Sequence, residues 1–308
     1  MTKVFIDGSA GTTGLRINER LSQRDDIEII KLDESVRKDA SARKEAFYAA
    51  DIAFLCLPDA AAVEAEELAK GSKVKIIDTS TAHRVNPAWA YGFPELTGHR
   101  EKIAASSRIA NPGCHASGFI ALVAPLVEAG ALSKDALLSC FSLTGYSGGG
   151  KKMIADYEDE SKAQSLEAPG IYGVTQTHKH LPEMVKECGL DNPPVFCPIV
   201  APYYSGMEVT VPLFASEIKA DINDIGKIYS NYYNKNTGGL VRYAECEESF
   251  MYADKFSGRD DMEITVRGND ERIILVSRFD NLGKGASGAA IQNMNILMGL
   301  DEKTGLVW

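Results

Sequence analysis

Short apolar runs alternate with helix-compatible stretches over the first third of the chain. Lys3 to Asp7, Ile27 to Leu32, Asp51 to Pro58 and Lys73 to Thr79 predict strands, with helices between them at Leu15 to Gln23, Arg37 to Ala50 and Ala60 to Lys70. Strand and helix in strict alternation imply a parallel sheet with right-handed crossovers, the doubly wound Rossmann-type α/β arrangement. Past Asn111-Pro112-Gly113, an apolar stretch from Cys114 to about Gly130 predicts a helix, which Pro125 should kink or shorten. The pattern then changes. Leu137 to Leu143, Val195 to Ala201, Met207 to Ala215, Met262 to Arg267 and Arg272 to Phe279 are strand-like, and Gly268-Asn269-Asp270 is a hairpin turn signal between the last two. A helix opened by Asp221 and running towards Tyr233 interrupts the series. This predicts a second, α+β domain with a largely antiparallel sheet. Ala286 to Leu300 closes the chain with apolar residues at helical spacing.

Composition narrows the function classes. With 308 residues, 44% of them apolar, there is material for two cores. The first apolar run, Val4 to Ile6, is broken at once by Asp7 and Gly8, unlike a signal peptide. No apolar stretch approaches the roughly 20 residues of a bilayer span, so a cytoplasmic protein without a membrane partner is expected. Six cysteines, at 56, 114, 140, 188, 197 and 246, are too sparse for a disulfide framework and form no paired CxxC, which predicts free thiols and no metal. A net charge of −10 without a Lys/Arg-rich run argues against a nucleic-acid partner.

The chemistry sits at strand-to-helix junctions. Gly8-Ser9-Ala10-Gly11-Thr12-Thr13-Gly14 lies between the first strand and the first helix, where free N–H groups and the helix dipole favour a pyrophosphate. At the end of the second strand, Asp33-Glu34-Ser35-Val36-Arg37-Lys38 mixes signals: an acid there suits a ribose 2′-OH, whereas Ser35 and Arg37 suit a 2′-phosphate. Cys114 follows Pro-Gly at a predicted helix start, a position that favours thiolate, the nucleophilic form. Cys56 and Cys140 read as small core residues. For a base, His178-Lys179-His180-Leu181-Pro182-Glu183 offers two histidines with a carboxylate at i+3 of His180. Asp78-Thr79-Ser80-Thr81-Ala82-His83-Arg84 and Ser147-Gly148-Gly149-Gly150-Lys151-Lys152 look anion-directed, although either could be a turn with solvated charges.

Together with Tyr91-Gly92-Phe93-Pro94-Glu95-Leu96, Asn281-Leu282-Gly283-Lys284-Gly285 and Gln292-Asn293-Met294-Asn295, these segments resemble the short form of the N-acetyl-γ-glutamyl-phosphate reductases, relatives of aspartate-semialdehyde dehydrogenase. The resemblance implies an NADP-dependent homodimer or homotetramer that reduces a small acyl phosphate to an aldehyde through a thioester on Cys114. It implies a nucleotide domain of residues 1–113 with 285–308, and a catalytic and dimerisation domain of 114–284. His180, with His178 as the other candidate, would manage the proton. Gly8 to Gly14, Ser35, Arg37, Ser80, Asn281 and Gly283 would meet the cofactor, and Arg84, Ser147, Gly148, Lys151 and Glu183 the substrate and its phosphate. The chain departs from the family pattern at His115, where an aromatic is usual, at Ala116-Ser117 in place of Pro-Thr, and at Ser205, where long forms carry arginine. Other readings are an aspartate-semialdehyde dehydrogenase, an aminoadipate-phosphate reductase, a non-redox cysteine hydrolase or acyltransferase, and a nucleotide-binding redox sensor. The glycine fingerprint speaks against a hydrolase, which has no use for a dinucleotide.

Overall fold

The computed structural model describes residues 1–234 and 239–308. The chain forms two compact units, Met1–Pro112 with Ala286–Leu306, and Gly113–Gly285 with Val307–Trp308.

In the first unit β1 (Thr2–Asp7), α1 (Thr12–Leu21), β2 (Ile27–Ile30), α2 (Ala40–Ala49), β3 (Ile52–Leu55), α3 (Asp59–Ala69) and β4 (Lys75–Asp78) alternate as the pattern predicts. Three short elements follow that the pattern does not show: β5 (Ala90–Tyr91), α4 (His99–Ala105) and β6 (Arg108–Ala110). The sheet runs β2-β1-β3-β4-β6-β5, with parallel pairing throughout the described residues. Successive side chains of β1 serve opposite faces, which is why its run is apolar without alternation. Val4 and Ile6 pack with Ile17, Leu21, Phe54 and Ile77 on one face, and Phe5 with Phe47, Leu55 and Ala62 on the other. Because β2 and β3 flank β1 on opposite sides, the chain changes direction there and a crevice opens beyond the carboxyl end of β1.

The second unit begins with α5 (Cys114–Glu128), then β7 (Ser139–Gly145), α6 (Gly150–Glu158), β8 (Gly170–Ile171), α7 (Leu181–Cys188), β9 (Val195–Ala201) and β10 (Met207–Phe214). It continues through α8 (Ile222–Tyr229), β11 (Val241–Tyr243), β12 (Met262–Gly268) and β13 (Arg272–Phe279). The sheet order is β11-β12-β13-β10-β7-β9-β8. Pairing is largely antiparallel, with β7–β9 and β11–β12 parallel. The chain then returns to the first unit as α9 (Gly288–Met298).

Pro125 does not break α5, which runs on to Glu128. Proline removes the N–H that would reach the carbonyl four residues back, and the Tyr233 hydroxyl donates to that Ala121 carbonyl instead, at 2.8 Å. Tyr229 serves the next carbonyl, Leu122, at 2.5 Å. The side chain of Asp221 caps α8 through the Asp224 N–H at 2.9 Å, but the helix proper ends at Tyr229 and widens over Ser230–Asn234. At the tail, Val307 N–H donates to Asp260 Oδ2 at 2.8 Å and Asp260 N–H to the Val307 carbonyl at 2.6 Å, so Val307 and Trp308 join the second unit, not the first. Among the described residues no helix is long and apolar enough to cross a membrane.

Candidate active site

Cys114 is the first residue of α5, and Gly113, its N-cap, offers no side chain to occupy the first-turn amides. The helix start is pinned from two directions. Gly113 N–H donates to Glu183 Oε2 at 3.1 Å, while its carbonyl accepts from the Ser117 amide at 2.8 Å and the Ser117 hydroxyl at 3.0 Å. Behind the thiol, Gly285 is required: a Cβ there would lie 2.9 Å from the Cys114 Cβ. Cys114 is partly exposed, whereas burial pushes the thiols of Cys56, to about 12, and of Cys140 and Cys188 upward, leaving them protonated.

His178 and His180 come together with His115 in a cluster whose ring centroids stand 4.7 to 5.7 Å apart. The His180 backbone N–H donates to His178 Nδ1 at 3.2 Å, so that nitrogen is an acceptor and the proton of a neutral His178 ring sits on Nε2. His180 precedes α7, and its Nε2 lies 4.0 Å from Glu183 Oε1. Glu183 is 1% exposed. Its oxygens reach the Gly113 amide and His180, so it links the start of α5 to the candidate base. His115 is buried, with Nδ1 2.6 Å from Ser142 Oγ and Nε2 2.6 Å from the Tyr172 hydroxyl. Burial, reinforced by His178, lowers its pKa to about 3. Tyr172 joins this site, and nothing in its sequence neighbourhood marks it; only the pairing of β8 with β9 carries it there.

Ser147 and Asn281 also meet. Asn281 Nδ2 donates to Ser147 Oγ at 3.1 Å and its Oδ1 accepts the Gly206 N–H at 2.9 Å, with Gly148 alongside. Asn281 and Gly283, expected at the cofactor, both lie in the second unit, and the Asn281 amide is engaged within it. Lys151 is exposed in the first turn of α6, whereas Lys152 pairs with Asp156 at 2.8 Å. Ser205 is buried against the hydroxyl of Ser257.

In the first unit a cavity of about 660 Å³ opens at the carboxyl ends of β1 and β2, a size and position suited to a nucleotide. Gly8, Ser9 and Ala10 line it, and Gly11 begins the uncapped α1 that Thr12, Thr13 and Gly14 continue. Gly8 has φ +89° and a Cβ there would meet the Cys56 carbonyl oxygen at 2.2 Å, so only glycine makes this turn. Arg37 and Lys38 line the cavity, as does Glu34, 2.5 Å from the Arg37 guanidinium. Asp33 and Ser35, on which the sequence reading turned, are not among the lining residues. In the cavity lining, Arg43 grips buried Asp7 at 2.9 and 3.0 Å and reaches Glu64 at 2.7 Å.

The segment after β4 is held by contacts within the first unit. The Ser80 hydroxyl and amide both donate to Asp78, which also holds His83 Nδ1 at 2.7 Å. Arg84 is buried, donating to the carbonyls of Asn111 at 3.0 Å and Thr79 at 3.1 Å. Ser80 and Arg84 thus tie the ends of β4 and β6 together. Among the described residues no group of three or more His, Cys, Asp and Glu side chains could hold a metal ion.

Two family models match the chain: semialdehyde dehydrogenase, NAD binding domain, over residues 3–106, and semialdehyde dehydrogenase, dimerisation domain, over residues 114–281. The fold agrees with the crystal structure of aspartate semialdehyde dehydrogenase II complexed with ASA from Vibrio cholerae, at a TM-score of 0.71 and 15% identity over 97% of this chain and 98% of that one. Fold and site together define an oxidoreductase of the semialdehyde dehydrogenase class. Two proteins named N-acetyl-gamma-glutamyl-phosphate reductase, from Brucella anthropi and Brucella suis, are 47% and 46% identical over 96% of this chain and 98% and 99% of their own lengths. The chain belongs to the N-acetyl-γ-glutamyl-phosphate reductase family.

Proposed function

We propose that the protein reduces N-acetyl-γ-glutamyl phosphate to N-acetylglutamate 5-semialdehyde and phosphate with NADPH, through a thioester on Cys114, in arginine biosynthesis. The observation that carries this reading is the partly exposed thiol at an uncapped helix start, joined to His180 through Glu183. The Cys114 thiolate attacks the acyl carbonyl, amides of the first turn of α5 receive the developing oxyanion, and phosphate leaves as the thioester forms. A bound reduced nicotinamide would supply the hydride for the thioester carbonyl, and His180 would give the oxygen left negative the proton that makes it a thiohemiacetal hydroxyl. His180 takes the hydroxyl proton of that species as it collapses, releasing the aldehyde and restoring the thiolate. Lys151, with the amides of Ser147 and Gly148, is the candidate cradle for the departing phosphate. Gly8 to Gly14 with Arg37 and Lys38 are the residues that would hold NADP.

The reading divides the labour between residues 1–113 with 285–308 for the nucleotide and 114–284 for catalysis and self-association. For the latter the outer face of the second sheet is the candidate. Pairing register sets Phe141, Ile171, Val195, Phe214 and Ile274 on one face, and all are exposed. An apolar sheet face of this kind suits a second copy in a homodimer, which a homotetramer would double.

The test supplies phosphate and NADP with N-acetylglutamate semialdehyde or aspartate semialdehyde and follows the absorbance of the reduced cofactor. Phosphate-dependent turnover of the N-acetylglutamate compound is expected. Turnover of aspartate semialdehyde alone, or turnover without phosphate, would sink the assignment.

A further inference from the structure

β8 stops early, and the residue opposite its end says why. Tyr172 N–H donates to the Pro198 carbonyl at 3.0 Å, which extends the antiparallel ladder of β8 with β9 by one bond, but Pro198 has no N–H to return it. Phe196, two residues earlier on β9, turns its N–H and C=O to the same edge, where the next rung would form. The chain has already left that edge: the Gln176 N–H closes a tight turn on the Gly173 carbonyl at 3.0 Å, and Gly173 enters it at φ +61°. The Gln176 side chain supplies the missing rung. Its Nε2 donates to the Phe196 carbonyl at 2.8 Å and its Oε1 accepts the Phe196 N–H at 2.8 Å, the two bonds that a facing strand residue would make. Gln176 does this from φ +57°, and among the described residues it is the one non-glycine with positive φ. Its long side chain has no local bond to offer that conformation, unlike Asn or Asp, so the pair of bonds to β9 is what holds the strain in place.

The Phe196 ring carries the effect onward. Its centroid stands 5.1 Å from that of His178 and 5.4 Å from that of His115, with interplanar angles of 70° and 75°. His178 in turn receives the His180 N–H on Nδ1 at 3.2 Å and the Leu181 N–H on its carbonyl at 3.1 Å, so it sets the entry into α7 and with it the place of His180. We propose that Gln176 is a positioning residue: clamped on Phe196, it seats the turn of residues 173–178 so that His178 packs on the Phe196 ring and holds His180 where the reaction needs it. The proposal rests on the reading of His180 as the base in the reduction proposed above.

The test joins steady-state kinetics in the phosphate-dependent assay to NMR of isotope-labelled histidine rings in the full chain. Gln176→Gly removes the clamp and relieves the φ strain together, so a role in backbone conformation alone predicts no loss. We expect kcat to fall about tenfold, a fraction of what losing the base itself would cost, with KM for the semialdehyde near its wild-type value. The His178 ring signal, assigned with His178→Asn, should move, while those of His83 and His99 in the first unit stay. Gln176→Glu keeps an acceptor for the Phe196 N–H but sets a second oxygen against the Phe196 carbonyl unless the carboxyl is protonated. Its kcat relative to wild type should therefore recover as pH falls towards about 4 to 5, where an ordinary glutamate takes up a proton. An unchanged kcat in Gln176→Gly overturns the proposal, as does a rise in KM alone or a Gln176→Glu defect that pH does not touch. Should Gln176→Gly fail to fold, Gln176→Glu carries the comparison. If the wild type shows no turnover, the proposed function falls and the His178 signal judges the clamp by itself: unmoved in the Gln176 variants, it overturns the clamp as well.

Discussion

Glu183 accepts the Gly113 N–H at 3.1 Å, so a buried carboxylate on α7 holds the peptide immediately ahead of Cys114. Its other oxygen faces His180 at 4.0 Å. Glu183→Gln keeps a carbonyl oxygen for the amide but removes the charge that supports an imidazolium, whereas Glu183→Ala removes both. We expect Glu183→Gln to fold normally and turn over slowly. Glu183→Ala should in addition lose about 1 to 3 kcal/mol of stability, the cost of a buried N–H left without its acceptor. Denaturant unfolding of the two variants separates these effects; equal stability would mean that the Gly113 bond is made good by another acceptor.

Replacing the residue that Glu183 faces tests the base directly. His180→Asn should lower kcat by roughly 10² to 10⁴, the usual size of general acid–base assistance, and His178→Asn by much less. The structure supports this order, because His178 Nδ1 is occupied by the His180 backbone while His180 has the carboxylate. A larger loss from His178→Asn in steady-state kinetics would reverse the assignment.

Cys114→Ser should abolish turnover while NADPH titration gives a nearly unchanged affinity. Iodoacetamide should modify Cys114 ahead of Cys56, Cys140 and Cys188, whose thiols burial holds protonated. Peptide mapping after brief alkylation decides it, and a turnover-competent serine variant would remove the thioester.

The placing of Cys114 at a helix start was legible because its signal is local: Pro112-Gly113 turns the chain ahead of an apolar run, and α5 begins there. The strands of the first unit were legible for the same reason. What escaped depends on partners far along the chain. β5, β8 and β11 are two or three residues long and exist through pairing with β6, β9 and β12. Pro125 predicts a kinked or shortened helix, because the Tyr233 hydroxyl that serves its orphaned carbonyl comes from far along the chain. The bonds of Ser80 to Asp78 and of Arg84 to the Asn111 carbonyl were not legible either, since they too depend on the tertiary arrangement of β4 and β6. Tyr172 carries no sequence mark at all.

His115 makes stability depend on pH. Its folded pKa is about 3 against the ordinary 6.5, so between those values the unfolded chain binds the proton that the folded chain refuses. The unfolded state therefore gains as pH falls, and stability drops by up to about 1.4 kcal/mol per pH unit from below 6.5 towards 3. His115→Phe removes this contribution. Urea unfolding at neutral and mildly acidic pH should show a smaller acid loss in the variant than in the wild type, even if the variant starts less stable for want of the Ser142 and Tyr172 bonds. Parallel losses would show that the buried imidazole is not the group responsible.

The cavity of the first unit sets Arg37 against Glu34, and this pair tests the proposed preference for NADPH. Both side chains are exposed and stand 2.5 Å apart, while Asp33 does not line the cavity. A 2′-phosphate can draw the Arg37 guanidinium away from Glu34, because a phosphate offers bidentate, charge-assisted acceptors. A 2′-hydroxyl offers no charge and leaves the pair as it is. Arg37→Ala should accordingly weaken NADPH about ten- to a hundredfold and leave NADH nearly unaffected, the loss expected of one or two hydrogen bonds to a charged group. Glu34→Gln should act in the opposite sense, tightening NADPH modestly by freeing the arginine and removing a negative charge from beside the phosphate, again with little effect on NADH. Fluorescence titration of both cofactors against both variants distinguishes this from a folding defect, which would weaken the two alike. Equal use of NADH by the wild type, or a Glu34→Gln variant that loses NADH affinity, would show that Glu34 holds the ribose and that the preference for NADPH is wrong.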